Sequence, residues 1–183
     1  MTLAQDLGKI GDAIGGNRPL AGFRNAIING NFDIWQRGTS FTNPAAFTGY
    51  TADRWVPFYD GSGATRTLSR QTFTVGQTDV PGEPTYFLRW NHSVAGSGAT
   101  YNVLGQNIES VRTFAGQQVT LSFYAKATST ITLAFLGLLQ IFGTGGSPSS
   151  TVATAASSPP TITTSWAKYT FVFNVPSISG KLS

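Results

Sequence analysis

The sequence predicts an all-β protein, a jelly-roll β-sandwich preceded by one short helix. Three observations carry that expectation. Only 11% of the 183 residues are charged, where soluble domains average roughly 25%, while 13% are aromatic and 21 are glycine. Apolar residues recur with period two along most of the chain, the spacing of strands with one face on a core. Clusters of Gly, Pro, Ser and Asn separate these stretches as turns do.

Residues 1–24 are read as a helix followed by a hinge. Leu3, Leu7, Ile10 and Ile14 form one narrow apolar stripe at helical spacing, and Thr2 and Gln5 have the spacing of a capping box. Gly15-Gly16 stop the helix, and Gly15-Gly16-Asn17-Arg18-Pro19 set it apart from the rest of the chain. A helix of about three turns is marginal alone in water. Its stripe therefore needs a surface, either the body of this chain or neighbouring copies and a larger assembly.

Residues 25–183 form the sandwich. The clearest strands are 119–126, where Val119, Leu121, Phe123 and Ala125 alternate with Thr120, Ser122, Tyr124 and Lys126, and 169–175, where Tyr169, Phe171, Phe173 and Val175 alternate with polar or smaller residues. Further candidates are 26–29, 53–59, 65–74, 86–91, 101–108 and 131–136. Turns are expected at 61–63, 80–82, 95–98, 114–116 and 143–150. The pentapeptide GSGAT occurs at 61–65 and again at 96–100, and it reads as turn chemistry. Seven or eight short strands without a second helix fit two packed sheets.

Composition also excludes. No cysteine and one histidine leave no disulfide, thiolate metal site or Ser-His pair. The net charge of +4 comes from 12 scattered bases, read as surface charges rather than a nucleic-acid patch. The densest apolar stretch, 131–142, is too short to cross a bilayer as a helix. Asp6, Lys9 and Asp12 interrupt the N-terminal pattern, so no signal peptide is expected and the chain would stay in the cytoplasm that makes it until assembly.

Four segments then carry a resemblance. NAIINGNFDIWQRGTSF (25–41) and YTADRW (50–55) look like the opening of domains in bacteriophage tail-fibre and other virion-surface proteins. GQNIESVRTFAGQQVTLSFYAKA (105–127) and TTSWAKYTFVFNVP (163–176) are similar to strands of jelly-roll carbohydrate-binding modules of the family-4 and family-9 type. The resemblance covers about 25–180. It implies a virion structural protein, on the tail or capsid surface, that docks to other virion proteins through residues 1–24, assembles as a homotrimer and holds a host-surface glycan. Two other roles fit the same residues: a purely architectural capsid decoration or fibre adaptor, and a carbohydrate-binding module of a glycan-active enzyme. The resemblance also implies one or two further strands after 175. A fragment, a neighbouring protomer closing the sheet edge, or a different strand order would each account for their lack.

Sugar recognition needs an aromatic face beside amides or carboxylates. The candidates are Trp55, Tyr59 and Asp53, in a cluster with Tyr50, and Tyr124, which lies on the polar face of its strand. Core packing competes for each, as it does for Trp35, Trp90 and Trp166. In NGNFDIW, alternation puts Phe32 and Ile34 on one face and Asp33 on the other. The resemblance implies Asp33 as a ligand of a structural calcium; capping of a turn is the competing role. No other cofactor is expected. Asp53 with Asp60, or Asp79 with Glu83, are pairs to nominate for hydrolysis, but 79–83 reads as a solvated turn and Asp53-Arg54 as a local polar or ion pair, so the chain is not expected to be an enzyme. His92 is read as a turn residue.

Overall fold

The computed structural model describes residues 25–98 and 101–182. The stripe of Leu3, Leu7, Ile10 and Ile14 lies outside the described residues. Within them the protein is all-β, built of small antiparallel sheets, and no helix occurs among the described residues. The strands are β1 (Ser40–Thr42), β2 (Trp55–Tyr59), β3 (Thr65–Thr72), β4 (Tyr86–Val94), β5 (Asn102–Gln106), β6 (Gln118–Ala125), β7 (Ile131–Thr132), β8 (Gly137–Gln140), β9 (Val152–Ala155), β10 (Thr161–Ile162) and β11 (Ala167–Asn174).

Their pairing is nested. β2 pairs with β5 and β3 with β4, so 55–72 and 86–106 are the two arms of one long hairpin, with β1 added along β3. A second hairpin repeats the plan: β6 pairs with β11, β7 with β10 and β8 with β9. Single backbone bonds carry this second ladder across its breaks, from Ala127 N–H to Thr163 C=O at 2.8 Å and from Leu133 N–H to Pro160 C=O at 3.0 Å.

Both arms of the first hairpin bend at the same height, and there Gly61-Ser62-Gly63 meets Gly96-Ser97-Gly98, the opening residues of the two GSGAT segments. Ser62 and Ser97 exchange both backbone bonds, at 3.1 and 2.9 Å. The same backbone demand on facing arms explains the same residues: Gly63 and Gly98 have φ of +74° and +66°, which glycine adopts without strain. Gly96 answers a second demand, since a Cβ there would lie 2.5 Å from the Ser62 carbonyl oxygen.

The alternation read at 119–126 and 169–175 holds. Val119, Leu121, Phe123 and Ala125 face inward with Ala167, Tyr169, Phe171 and Phe173, and the rings of Phe123 and Tyr169 stack at 5.6 Å. Phe173, Leu68 and Val56 are among the most buried side chains. The hairpins meet where Phe73 and Phe87, at the tip of the first, pack on Trp166 at 5.1 and 5.3 Å.

Three expectations are corrected. Residues 26–29 are not a strand: the chain turns at 28–31, with Asn29 and Phe32 at φ of +55° and +57°. Left-handed residues break period two, so Phe32 and Ile34 do not share a face as strand neighbours would. The stretch 131–136 forms only Ile131–Thr132 before the ladder breaks and resumes at Gly137. His92 belongs to β4 rather than to a turn.

Close approach at the first corner gives a test. Gly96→Ala is expected to lower stability by on the order of 1–3 kcal/mol through overpacking against backbone, whereas Gly82→Ala, in open space at φ +86°, costs only the strain of its turn, about 1 kcal/mol. Urea unfolding of both variants measures the difference.

Candidate functional site

The NGN turn is built around Asn29. Its amide Nδ2 donates to the carbonyls of Ile34 at 2.9 Å and Asp53 at 3.1 Å, and its Oδ1 accepts from Ile34 N–H at 3.0 Å. Trp55 donates its indole N–H to the Asn29 carbonyl at 3.0 Å and packs on Phe32 at 5.0 Å. Trp35 donates likewise to the Phe32 carbonyl, at 2.6 Å. Gln106 clamps the turn to β5, accepting from Ile28 N–H and donating to Ile28 C=O, both at 2.8 Å. The cap of this turn is thus Asn29, not Asp33.

Most sequence candidates on and before β2 are used by the fold itself. Asp53 accepts from Gln36 N–H at 3.0 Å, and the ion pair of Arg54 is with Glu109 at 3.9 Å rather than with Asp53. Tyr59 donates its hydroxyl to the Pro44 carbonyl and carries the Arg66 guanidinium over its ring at 4.2 Å. Val56 and Pro57, on opposite faces of β2, are both buried, which leaves that strand no open sheet face. Arg66 is itself buried, an exception to the reading of all bases as surface charges.

Asp33 is exposed on a shallow cavity of about 310 Å³ lined also by Asn25, Asn29 and Asn31. Calcium takes six to eight oxygens. Among the described residues no group of three or more Asp, Glu or His is gathered, and the carbonyls of Asn29, Phe32 and Ile34 already accept N–H groups. Asp33 is the one carboxylate among the residues that line this cavity.

Tyr124 differs. The register places it opposite Lys168, Ser122 opposite Thr170, Thr120 opposite Val172 and Gln118 opposite Asn174. Tyr124 is half-buried, while the other seven members of this outer face are exposed. Gln118 Nε2 donates to Asn174 Oδ1 at 3.0 Å, which ties the two amides together across the strands. Beside it runs a groove of about 510 Å³ between the end of β9 and the edge of β11, lined by Thr154, Ser157, Ser158, Val172 and Asn174. Hydroxyls, amides, one ammonium and one phenol ring thus share one flat face. Lys126, two residues on, instead lays its ammonium over Trp166 at 5.3 Å. Sequence reasoning found Tyr124 with Thr120 and Ser122 but missed Lys168, Thr170, Asn174, Ser157 and Ser158. The period-two pattern marked 168–174 as half polar; only the pairing register puts that half beside Tyr124.

No protein-family model, curated protein or solved structure matches this chain.

These contacts set two expected outcomes. Asn29→Ala removes three hydrogen bonds and a residue suited to left-handed φ, so unfolding free energy should fall by about 2 kcal/mol, with Trp55 fluorescence reporting the loosened turn. The imidazole of His92 is held below its ordinary pKa of 6.5, first by partial desolvation and then by the positive charge of Arg66. The unfolded chain therefore takes up the proton first, and the contribution of His92 is intact above pH 6.5 and lost as pH falls through that value toward the folded one. His92→Gln should flatten the decline of the urea midpoint between about pH 7 and 5.

Proposed function

We propose that this chain is a structural protein of a bacteriophage particle, a tail fibre or similar appendage, whose domain is a jelly roll that holds a host-surface glycan on the outer face of β6 and β11. The observation that carries the reading is that face: a half-buried tyrosine flush with Thr120, Ser122, Thr170, Lys168 and a fixed Gln118–Asn174 amide pair. A pyranose offers an apolar ring face for the tyrosine and hydroxyls for the amides. The groove beside β11 gives a second sugar ring room. The nested, cornered hairpins support the jelly roll, because strands that bend and continue into a second pairing are how one ladder supplies two facing sheets. The resemblance of 25–41 and 50–55 to virion-surface domains supports the location. Residues 1–24 then dock to the particle, and several copies on one particle raise weak single-site affinity through effective concentration.

A glycan array probed with the intact protein tests the reading. Binding is expected, with Tyr124→Ala weakening it roughly 30-fold, as truncating a central aromatic anchor does, at unchanged thermal stability. Absence of binding by folded protein on a broad array overturns glycan recognition and favours a purely architectural role.

A further inference from the structure

Charge on the second hairpin is of one sign. Residues 110–183 hold Arg112, Lys126, Lys168 and Lys181 and no acid. Two of these bases lie at the Tyr124 end of the β6–β11 ladder. Lys168 is directly opposite the tyrosine, and Lys126 follows two residues further on, its ammonium 5.3 Å from the centre of the Trp166 ring. The loop at the tip of the first hairpin carries Asp79 and Glu83. Among the described residues, however, neither lysine forms an ion pair; the pair that does form joins Arg54 to Glu109.

The central groups of this face are also uncommitted. Tyr59 and Tyr169 give their hydroxyls to backbone carbonyls, whereas the Tyr124 hydroxyl has no hydrogen-bond partner among the described residues. Arg37, Arg66, Arg70, Lys126 and Lys181 each lay their charge over an aromatic ring. Lys168 does not, although the register sets it beside one. The tyrosine ring is thus left open by its own cross-strand lysine, and the exposed ammonium next to it has no counter-charge.

We propose that the glycan held here is acidic, a polysaccharide whose pyranose carries a carboxylate, as uronic and sialic acids do. The inference rests on the glycan reading and adds the charge of the ligand. Cross-strand neighbours have Cβ atoms about 5 Å apart, so a pyranose lying on Tyr124 brings a ring carboxylate within reach of the flexible Lys168 stem. A charge-assisted hydrogen bond then forms where a neutral sugar leaves the ammonium unmatched. The ring hydroxyls meet Ser122 and Thr170, and the groove lined by Thr154, Ser157, Ser158 and Asn174 offers neutral hydrogen-bonding groups to the next sugar. With no acid anywhere in this half of the chain, an anionic polysaccharide meets no like charge along it. Polysulfates and nucleic acids, by contrast, are held by clustered bases, and here hydroxyls and amides outnumber the two lysines.

Titration of the intact protein with paired probes tests the inference: uronate-containing and sialylated oligosaccharides, each beside its methyl ester, with dextran sulfate as a general polyanion. The free acid is expected to bind at least tenfold more tightly than its ester. Lys168→Gln should cost about tenfold in affinity for the acid, as loss of a charge-assisted contact does, and bring the acid-to-ester ratio close to one. Lys181→Gln, which removes the same charge outside this face, should leave that ratio unchanged, and thermal unfolding should be unchanged in the Lys168 variant because its side chain is exposed. Esters or neutral glycans that bind as tightly as the acids overturn the proposal and leave glycan recognition intact, whereas folded protein that binds no glycan overturns both. An acid preference that survives Lys168→Gln, or dextran sulfate bound as tightly as the best acid, also overturns it, the first by placing the acid elsewhere and the second by showing general attraction of anions.

Discussion

The guanidinium of Arg66 holds the first hairpin closed. Burying such a group costs several kcal/mol unless its donors are satisfied, and Arg66 is 2% exposed. Its Nε donates to Asn102 Oδ1 at 2.6 Å, its Nη2 donates to the Asp60 carbonyl at 2.8 Å, and its plane lies on Tyr59. Its backbone exchanges bonds with Asn43, whose side chain accepts from Arg66 N–H at 2.9 Å. One residue of β3 thereby fastens β2, the corner after β2, β5 and the loop after β1. Planar stacking together with divergent donors suits guanidinium and not an ammonium. Desolvation first, and then the same charge, in register with His92 on β4, favour the neutral imidazole, so the anchor of the corner contributes to how the neighbouring strand responds to acid.

Local alternation was enough to read the second hairpin's base. Apart from Val172, which faces out at 56% exposed, the residues from Val119 to Ala125 and from Tyr169 to Phe173 turn to the side their polarity indicates, because each strand has one buried and one open face. The NGN turn defeated the same reasoning. Phe32 and Ile34 look like alternating strand positions, yet the left-handed φ of Asn29 and Phe32 is stabilised by contacts with Asp53, Trp55 and Gln106, up to 78 residues away in sequence. No window along the chain contains those partners. The GSGAT pair lies between these extremes. Its glycines announced turns, but that the two turns face each other is a property of the pairing, visible only once β2 meets β5 and β3 meets β4.

The candidate site divides along the same line. Trp55, Tyr59 and Asp53 stood out because aromatic and acidic residues cluster there in sequence, and the structure spends their polar atoms on the backbone of Asn29, Pro44 and Gln36. A cluster dense in sequence is often dense because it closes a corner. Tyr124 stood out for its phase within a strand, and phase is what determines which side of a sheet a residue meets. That is why its neighbours are the hydroxyls and amides of β11 rather than a core.

The two hairpins share a plan and differ in completeness. In the first, the buried polar group is an arginine that donates to two acceptors and lays its plane on a tyrosine ring. In the second, Gln140 and Thr154 keep unmatched oxygens on the inside while leucine and isoleucine face out. Gly137 fixes that arrangement: a Cβ there would lie 2.3 Å from the Thr154 carbonyl oxygen, so the strands approach too closely to slip. A one-residue slip is the move that would exchange the faces and bury Leu139 and Ile141. With the register locked and the apolar side outward, the chain does not bury this hydrophobic surface by repacking its own ladder.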